Sequence, residues 1–465
     1  MIAAATLGSG LALLDGTVVN VALKTIGEDL DASLAELQWV SNGYLLSMAS
    51  LILLGGSLGD RFGRRRVFVI GIAWFAAASL LCGLAPNAET LIVARVLQGI
   101  GGALLTPGSL AMIQGAFAAD QRARAIGAWS GLGSIAAAIG PFLGGGLVEY
   151  AHWRWIFLVN LPPAALAIWI AVRSVPETRD PRASTHFDVT GAVLATAALG
   201  GATYALIQWG DALTPYAAGA AVLAGLAFVV WERREREPML ELGIFADRTF
   251  SSANVLTLLV YAALGAALFF LVLQLQTVGG YGPLAAGLAS LPITICMLFL
   301  AARGGALATR IGPRLPMSVG PVVMAVGILM LLAVDSDVNY WLDVLPGMTV
   351  FGLGLALLVA PLTATVLAAA PDEHAGIASG VNNALARAGS LLAVAALPVA
   401  VGLSGEEYAD PTAFDAGYRS AMIVCAVLLA LGGATAWFTI RNQVLEEAAV
   451  EVPVAHRACD RGGPG

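Results

Sequence analysis

Residues 56–65 read GSLGDRFGRR, and residues 305–314 read GALATRIGPR. Both fit the pattern G-x-L-x-x-R-x-G-x-R, with five matched positions and the second copy 249 residues after the first. Each copy follows an apolar run. Gly63 suits the positive φ of a tight turn between helices. At about 30 residues for a membrane helix with its loop, 249 residues is about eight helices. Two plain six-helix halves would be offset by six. Two helices are therefore expected between the halves, giving about fourteen in all. Two parallel repeats about an axis normal to the membrane are a plan used by transporters.

The composition agrees with a membrane. Of 465 residues, 58% are hydrophobic and 12% are charged. The mean hydropathy is +0.82. A soluble domain carries about 25% charged residues. Half that value over the whole length reads as a polytopic, all-α membrane protein. The formal charge of −7 says little, because the signs segregate by loop. No basic cluster exceeds a short loop, so a nucleic-acid partner is not expected. Cys82, Cys296, Cys425 and Cys459 show no CxxC or Cys/His spacing, and read as small buried residues. No metal site or cofactor is expected. There is no HExxH or GxSxG, and the only lysine, Lys24, lies outside any phosphate loop, which argues against an enzyme and an ATP-driven pump.

Apolar runs long enough to span fall near 3–23, 40–59, 67–85, 91–114, 124–148 and 154–174, then 188–209 and 215–232. Six more fall near 251–278, 284–308, 315–334, 341–370, 375–403 and 417–440. The expected organisation is a six-helix half (1–174), two inserted helices with charged, proline-bearing linkers (175–250), a second half (251–441) and a disordered tail (442–465). With even-numbered turns inside, eighteen arginines fall on the cytoplasmic side, including Arg122, Arg124, Arg182, Arg457 and Arg461. Only Lys24, Arg154 and Arg419 fall outside. This bias places both termini in the cytoplasm. Residues 1–23 lack a basic leader, so a cleaved signal peptide is not expected. Either the chain starts late or its true start lies upstream.

Five local patterns resemble the major facilitator superfamily, specifically its fourteen-span drug:proton antiporters. LDGTVVNVAL (14–23) is similar to the first-helix signature, and GGSLGDRFGRRRV (55–67) to the loop between helices two and three. ARVLQGIGGALLTPG (94–108) resembles the fourth-helix motif, GPFLGG (140–145) the antiporter motif of helix five, and WRWIFLVNLPP (153–163) a further family stretch. The resemblance implies the major facilitator fold and proton-coupled export of lipophilic, often cationic drugs or antibiotics across a bacterial cytoplasmic membrane, by a monomer driven by the proton gradient. Proton-coupled import of a small metabolite on the same fold is the alternative. The resemblance also implies that Gly56, Asp60, Arg61, Gly63 and Arg64 form a conformational switch tying the halves together on the cytoplasmic side. Gly140, Pro141, Gly144 and Gly145 would form the antiporter contact; Gly140 and Gly144 lie four apart, where small residues let helices approach. Two departures stand out. Thr309 replaces the acid at the position of Asp60, and Lys24 follows the first-helix signature where proline is common; Lys24 is expected to matter only for the exit of helix one.

Asp15 is the only ionisable side chain between Met1 and Leu23. An ionised Asp at mid-membrane costs about 2.5–3.5 kcal/mol on insertion scales. Burial disfavours the charge, so a carboxyl group here can hold a proton in one state and release it in another. A structural hydrogen bond is the other reading. Thr17 and Asn20 widen the polar arc of this helix. Arg95 and Gln98 share a face at i, i+3. Arg95 lies within about 6 Å of Asp15 in depth, within reach of its side chain; it either meets Asp15 or snorkels outward. Arg387, with Asn383 one turn away, lies about 18 Å from the inner face and should face protein or water. Asp15 is thus the expected proton-coupling residue, with Asn20, Arg95, Gln98, Asn383 and Arg387 along the substrate pathway. Glu149, at an outer helix end, is expected to be solvated.

Overall fold

The computed structural model describes residues 1–116, 139–179, 187–370, 375–403 and 410–442, with Trp129, Gly133, Ala136 and Val444. The first half comprises α1 (Ile2–Leu30), α2 (Leu34–Phe62), α3 (Arg64–Gly83), α4 (Ala88–Ala116), α5 (139–150) and α6 (Trp155–Ser174). An inserted hairpin follows, α7 (Val189–Ile207) and α8 (Thr214–Arg234). The second half comprises α9 (Arg248–Thr277), α10 (Pro283–Ile311), α11 (Arg314–Ala333), α12 (Tyr340–Ala368), α13 (Ala375–Ala400) and α14 (Pro411–Thr439). Thirteen of these helices, all but α5, are long and apolar enough to cross a membrane, and no strand occurs among the described residues. The expected span 124–148 is described only at three single positions and from 139 onward. Arg122, Arg124, Arg182, Arg457 and Arg461 lie outside the described residues, as does the tail apart from Asn442 and Val444.

Several helices outrun the expected spans. α1 holds 29 residues, about 44 Å at 1.5 Å per residue, against a hydrocarbon layer of about 30 Å. Its last turns carry Lys24, Glu28 and Asp29 beyond the apolar run. Two helices are broken near prolines. α6 stops at Leu158 and restarts at Leu161, because Pro162 and Pro163 have no N–H to donate to the preceding turn. α10 breaks between Leu288 and Leu291, ahead of Pro292.

The packing repeats with the sequence. In the first half α4 packs on α2 and α3; eight helices later α12 packs on α10 and α11. The loop motif closes the turn after α2 and after α10, where Gly63 has φ +113° and Gly312 has φ +85°. α7 lies along the seam between the halves, against α2 and α13, with α8 outside it. Asp188 pins this hairpin at its base: its Oδ1 accepts from Gly191 N–H and from the Trp231 indole, both at 2.7 Å. Large apolar side chains such as Trp74, Trp169, Leu223, Phe299 and Phe438 face outward. Hydrocarbon is their natural surrounding, and polar groups are turned inward or to backbone partners.

The hydrogen bonds between the halves, among the described residues, lie at the end opposite the arginine-rich loops. Lys24 Nζ donates to Gln276 O at 2.7 Å, and Gln276 Nε2 donates back to Val21 O at 2.9 Å. Gln38 Nε2 donates to Val394 O at 2.7 Å. Leu284 N donates to Glu149 Oε2 at 2.9 Å. At the arginine-rich end the described ion pairs stay within the first half and the linker after it: Arg64 with Asp60 at 2.8 Å and Arg65 with Glu177 at 3.6 Å. Among the described residues, the polar bonds that latch the halves thus sit at one end.

A Cβ added to Gly63 would lie 2.5 Å from Glu177 Oε1, and one added to Gly312 would lie 2.5 Å from the Asn442 side chain. Gly63→Ala and Gly312→Ala should each destabilise the protein by about 1–3 kcal/mol, the usual cost of forcing an L residue into such backbone. Thermal unfolding of the detergent-purified protein checks this; an unchanged Tm in both would show that the turns relax freely.

Candidate functional site

The candidate site is a buried carboxylate held from four neighbouring helices. Asp15 is 0% exposed and Arg95 1% exposed, so neither charge meets solvent in this conformation. Arg95 Nη1 donates to Asp15 Oδ2 and, at 2.6 Å, to Gln98 Oε1. Gln98 Nε2 donates to Asp15 Oδ1 at 2.8 Å and to Ser79 Oγ at 2.7 Å. Asn160 Nδ2 donates to the same Asp15 oxygen at 3.1 Å. Arg95 Nε donates to Val40 O at 3.0 Å, and the guanidinium lies 4.5 Å from the centroid of the Tyr44 ring. Tyr44 in turn donates to Ala12 O at 3.0 Å, one turn before Asp15.

Each helix supplies its member for a local reason. The i, i+3 spacing of Arg95 and Gln98 puts both on the α4 face that meets α1. Asn160 sits in the break of α6, just before Leu161-Pro162-Pro163. A residue in such a break can turn its side chain inward. Ser79 and Asn160 were not expected from sequence. The proline pair after Asn160 is a usable signal, whereas Ser79, the one serine of an apolar helix, carries none.

Of the remaining expected residues, Asn20 is half-buried on α1 and does not join this cluster. Arg95 and Gln98 were expected along the substrate pathway, but here they lie inside the first half. The reason is electrostatic: an ionised Asp15 away from water needs donors on every side. Arg387 is half-buried at the middle of α13, and its Nη1 lies 4.0 Å from the position a Cβ on Gly16 would take. It therefore crosses from the second half to the helix that carries Asp15. Asn383, one turn away, is exposed and donates to Ser379 O at 3.0 Å.

The GPxxGG stretch of α5 joins the two halves. Gly140 and Gly144 lie against Leu14, Thr17 and Val18 of α1, with a Cβ on Gly144 predicted to fall 3.0 Å from Val18 O. Gly145 faces Leu284, whose Cα would lie 2.6 Å from an added Cβ, and Pro141 O abuts Gly287. One short segment thus touches the Asp15 helix and the second half. Glu149 and Lys24 depart from expectation. Glu149 is exposed yet bonds across the halves to Leu284 N, and Lys24 bonds across them to Gln276 O. Each charge meets the helix end of matching polarity. In the last turns of α2, Gly56 lies near Pro107, and Arg61 stacks 4.6 Å from the Phe187 ring centroid. Arg64 also donates to Ala111 O at 3.2 Å. Among the described residues these partners belong to the first half or to the linker after it.

Arg95→Ala would leave a buried carboxylate without its countercharge, costing about 3–5 kcal/mol. Arg95→Lys should recover only part, because one ammonium cannot reproduce the planar fork that serves Val40, Asp15 and Gln98 together. Thermal unfolding should rank wild type above Lys above Ala; equal midpoints would mean the pair does not hold the bundle.

Comparison with known proteins places this arrangement. Residues 5–394 match the family model described as Major Facilitator Superfamily. The chain is 35% identical over 401 residues to the Tetracenomycin C resistance and export protein of Streptomyces glaucescens, covering 85% of this chain and 74% of that one. It is 37% identical over 433 residues to the Methylenomycin A resistance protein of Bacillus subtilis, covering 91% of each. Among solved structures it resembles the inward open xylose transporter XylE from E. coli, with TM-score 0.65 at 15% identity, covering 96% of this chain and 98% of that one. The all-helical fold, its eightfold helix offset and these matches together show that the chain belongs to the Major Facilitator Superfamily.

Proposed function

We propose that this chain is a proton-coupled antiporter that exports lipophilic drugs or antibiotics across the bacterial cytoplasmic membrane by alternating access. The observation that carries the reading is the carboxylate of Asp15, buried at mid-depth on the first helix and bonded to Arg95. The relatives named for resistance and export support the direction of transport. The protein acts as a monomer, takes its energy from the proton gradient without a cofactor, and keeps both termini in the cytoplasm.

On this orientation the end that carries the polar bonds between the halves is outer. Asp15 is ion-paired, as expected after its proton has been released inside. Cargo enters from the cytoplasm or the inner leaflet, the halves rock, and the outer latch opens. A proton from outside then neutralises Asp15. That removes the acceptor shared by Arg95, Gln98 and Asn160, and loosens α1 from α4 and α6. The neighbouring turn of α1 carries Thr17 and Val18, on which the α5 glycines ride. Neutralisation is thereby felt at Gly145 and Pro141, where the second half begins. The loop residues Asp60, Arg61 and Arg64 are positioned to tie the inner face in the opposite state.

Asp15→Asn keeps the shape and removes the titration. In everted vesicles, it should abolish substrate-induced proton release from an acidified lumen while leaving membrane insertion intact. Undiminished proton-coupled efflux in this variant would remove Asp15 from the mechanism. Substrate and proton moving together in wild-type vesicles would make the protein an importer.

A further inference from the structure

Charges at mid-depth do not balance. Among the described residues, Asp15 is the only carboxylate lying in the middle of a membrane helix, and Arg95 and Arg387 are guanidiniums at comparable depth. The Asp15 carboxylate is taken by Arg95, and both are sealed from solvent. Arg387 has no hydrogen bond or ion pair with any described residue, and it stays partly accessible, about 18 Å along α13 from its arginine-rich end. It reaches across the seam to Gly16. Asn383, on the same face one turn nearer that end, is exposed and donates its NH2 to Ser379 O. Arg303, deeper in the second half's arginine-rich portion, donates only to its own Phe299 O at 3.2 Å and adds no carboxylate.

A guanidinium at this depth is expensive unless something pairs with it. Its planar fork fits an oxyanion with two parallel hydrogen bonds. Among the described residues Asp15 is the one mid-depth acid, and Arg95 already pairs with it. We propose that Arg387 is the counterion for the cargo, and that the preferred substrates are amphiphilic organic acids, bearing a carboxylate or an acidic enol or phenol, rather than lipophilic cations. The inference rests on the export reading and narrows it. The acidic group of the cargo docks on Arg387, and its apolar body lies along the seam between α1, α2 and α13. Proton and cargo then occupy different groups on different halves. Their exchange is ordered by the rocking of the halves and not by competition for one carboxylate.

Everted vesicles from a host without its own drug pumps test this, energised so that the lumen is acidic. A weak acid does not accumulate passively in an acidic lumen, so its uptake reports the protein. The probes are fusidate and naphthalene-2-carboxylate as acids, with ethidium and tetraphenylphosphonium as cations. Wild type should accumulate the acids in preference to the cations. Arg387→Gln should cut acid uptake at least tenfold at equal membrane abundance, and Arg387→Lys should retain a substantial part of it, which separates a charge role from a folding one. Gradient-driven uptake of the cations without the acids, or undiminished acid uptake by Arg387→Gln, overturns the anion preference and leaves the antiport reading standing. Acid uptake that ignores the pH gradient but still needs Arg387 sinks antiport and leaves the preference standing. No transport of any of the four probes counts against both.

Discussion

A single carboxylate without water organises the first half of this protein. Asp15 lies in the middle of a 29-residue helix, and its charge has to be answered by protein. Hydrogen bonds to a charged group are worth about 1.5–3 kcal/mol each, and leaving such a group unmade costs more. The answer draws on α4 through Arg95 and Gln98 and on α6 through Asn160, with Ser79 of α3 bracing the amides and Val40 of α2 taking the remaining guanidinium edge. Five helices are therefore positioned by one acid. Changing its charge changes what those helices owe each other, and a proton is the smallest agent able to do so.

The link from that acid to the seam between the halves is steric. Membrane helices gain little from apolar contact alone, since lipid offers the same, so close packing of small residues decides which helices stay together. The glycines of α5 bring its backbone against α1 on one side and against the start of α10 on the other. At the latched end, polar bonds do the holding, and they use few charges: one lysine on a helix C-terminal carbonyl and one glutamate on a backbone amide of the other half. Such bonds lie near water, where they exchange for hydration at modest cost. Bonds of this kind break more readily than the Asp15 cluster, whose members are sealed from solvent.

Much of this was legible in the chain. The loop repeat carried the helix offset, because a tight turn at a membrane surface needs glycine and arginine in a fixed order. Arg95 and Asp15 could be matched by depth, since helix rise converts sequence position to distance along the membrane normal. What could not be read was orientation around and between helices. Depth alone left Arg95 free to snorkel or to pair. Asn160 was hidden because its role comes from a helix break. Glu149 and Lys24 looked like ordinary end charges, because their partners are backbone atoms of the other half and leave no mark in a residue pattern.

The two halves also show where a repeat can drift. On the 249-residue offset, Gly63 corresponds to Gly312, and both keep positive φ. Where Gly99 of α4 packs on Tyr44 and Ser47, Gly352 of α12 packs on Ile293 and Cys296, so Arg95 corresponds to apolar Met348, and the middle of α9 carries no carboxylate. Losing one member of a buried ion pair is costly, whereas replacing both by apolar groups is close to neutral. A buried pair is therefore stable whole or absent whole. The second half has no such pair, and its mid-depth cation, Arg387, reaches across the seam to Gly16 of the first half.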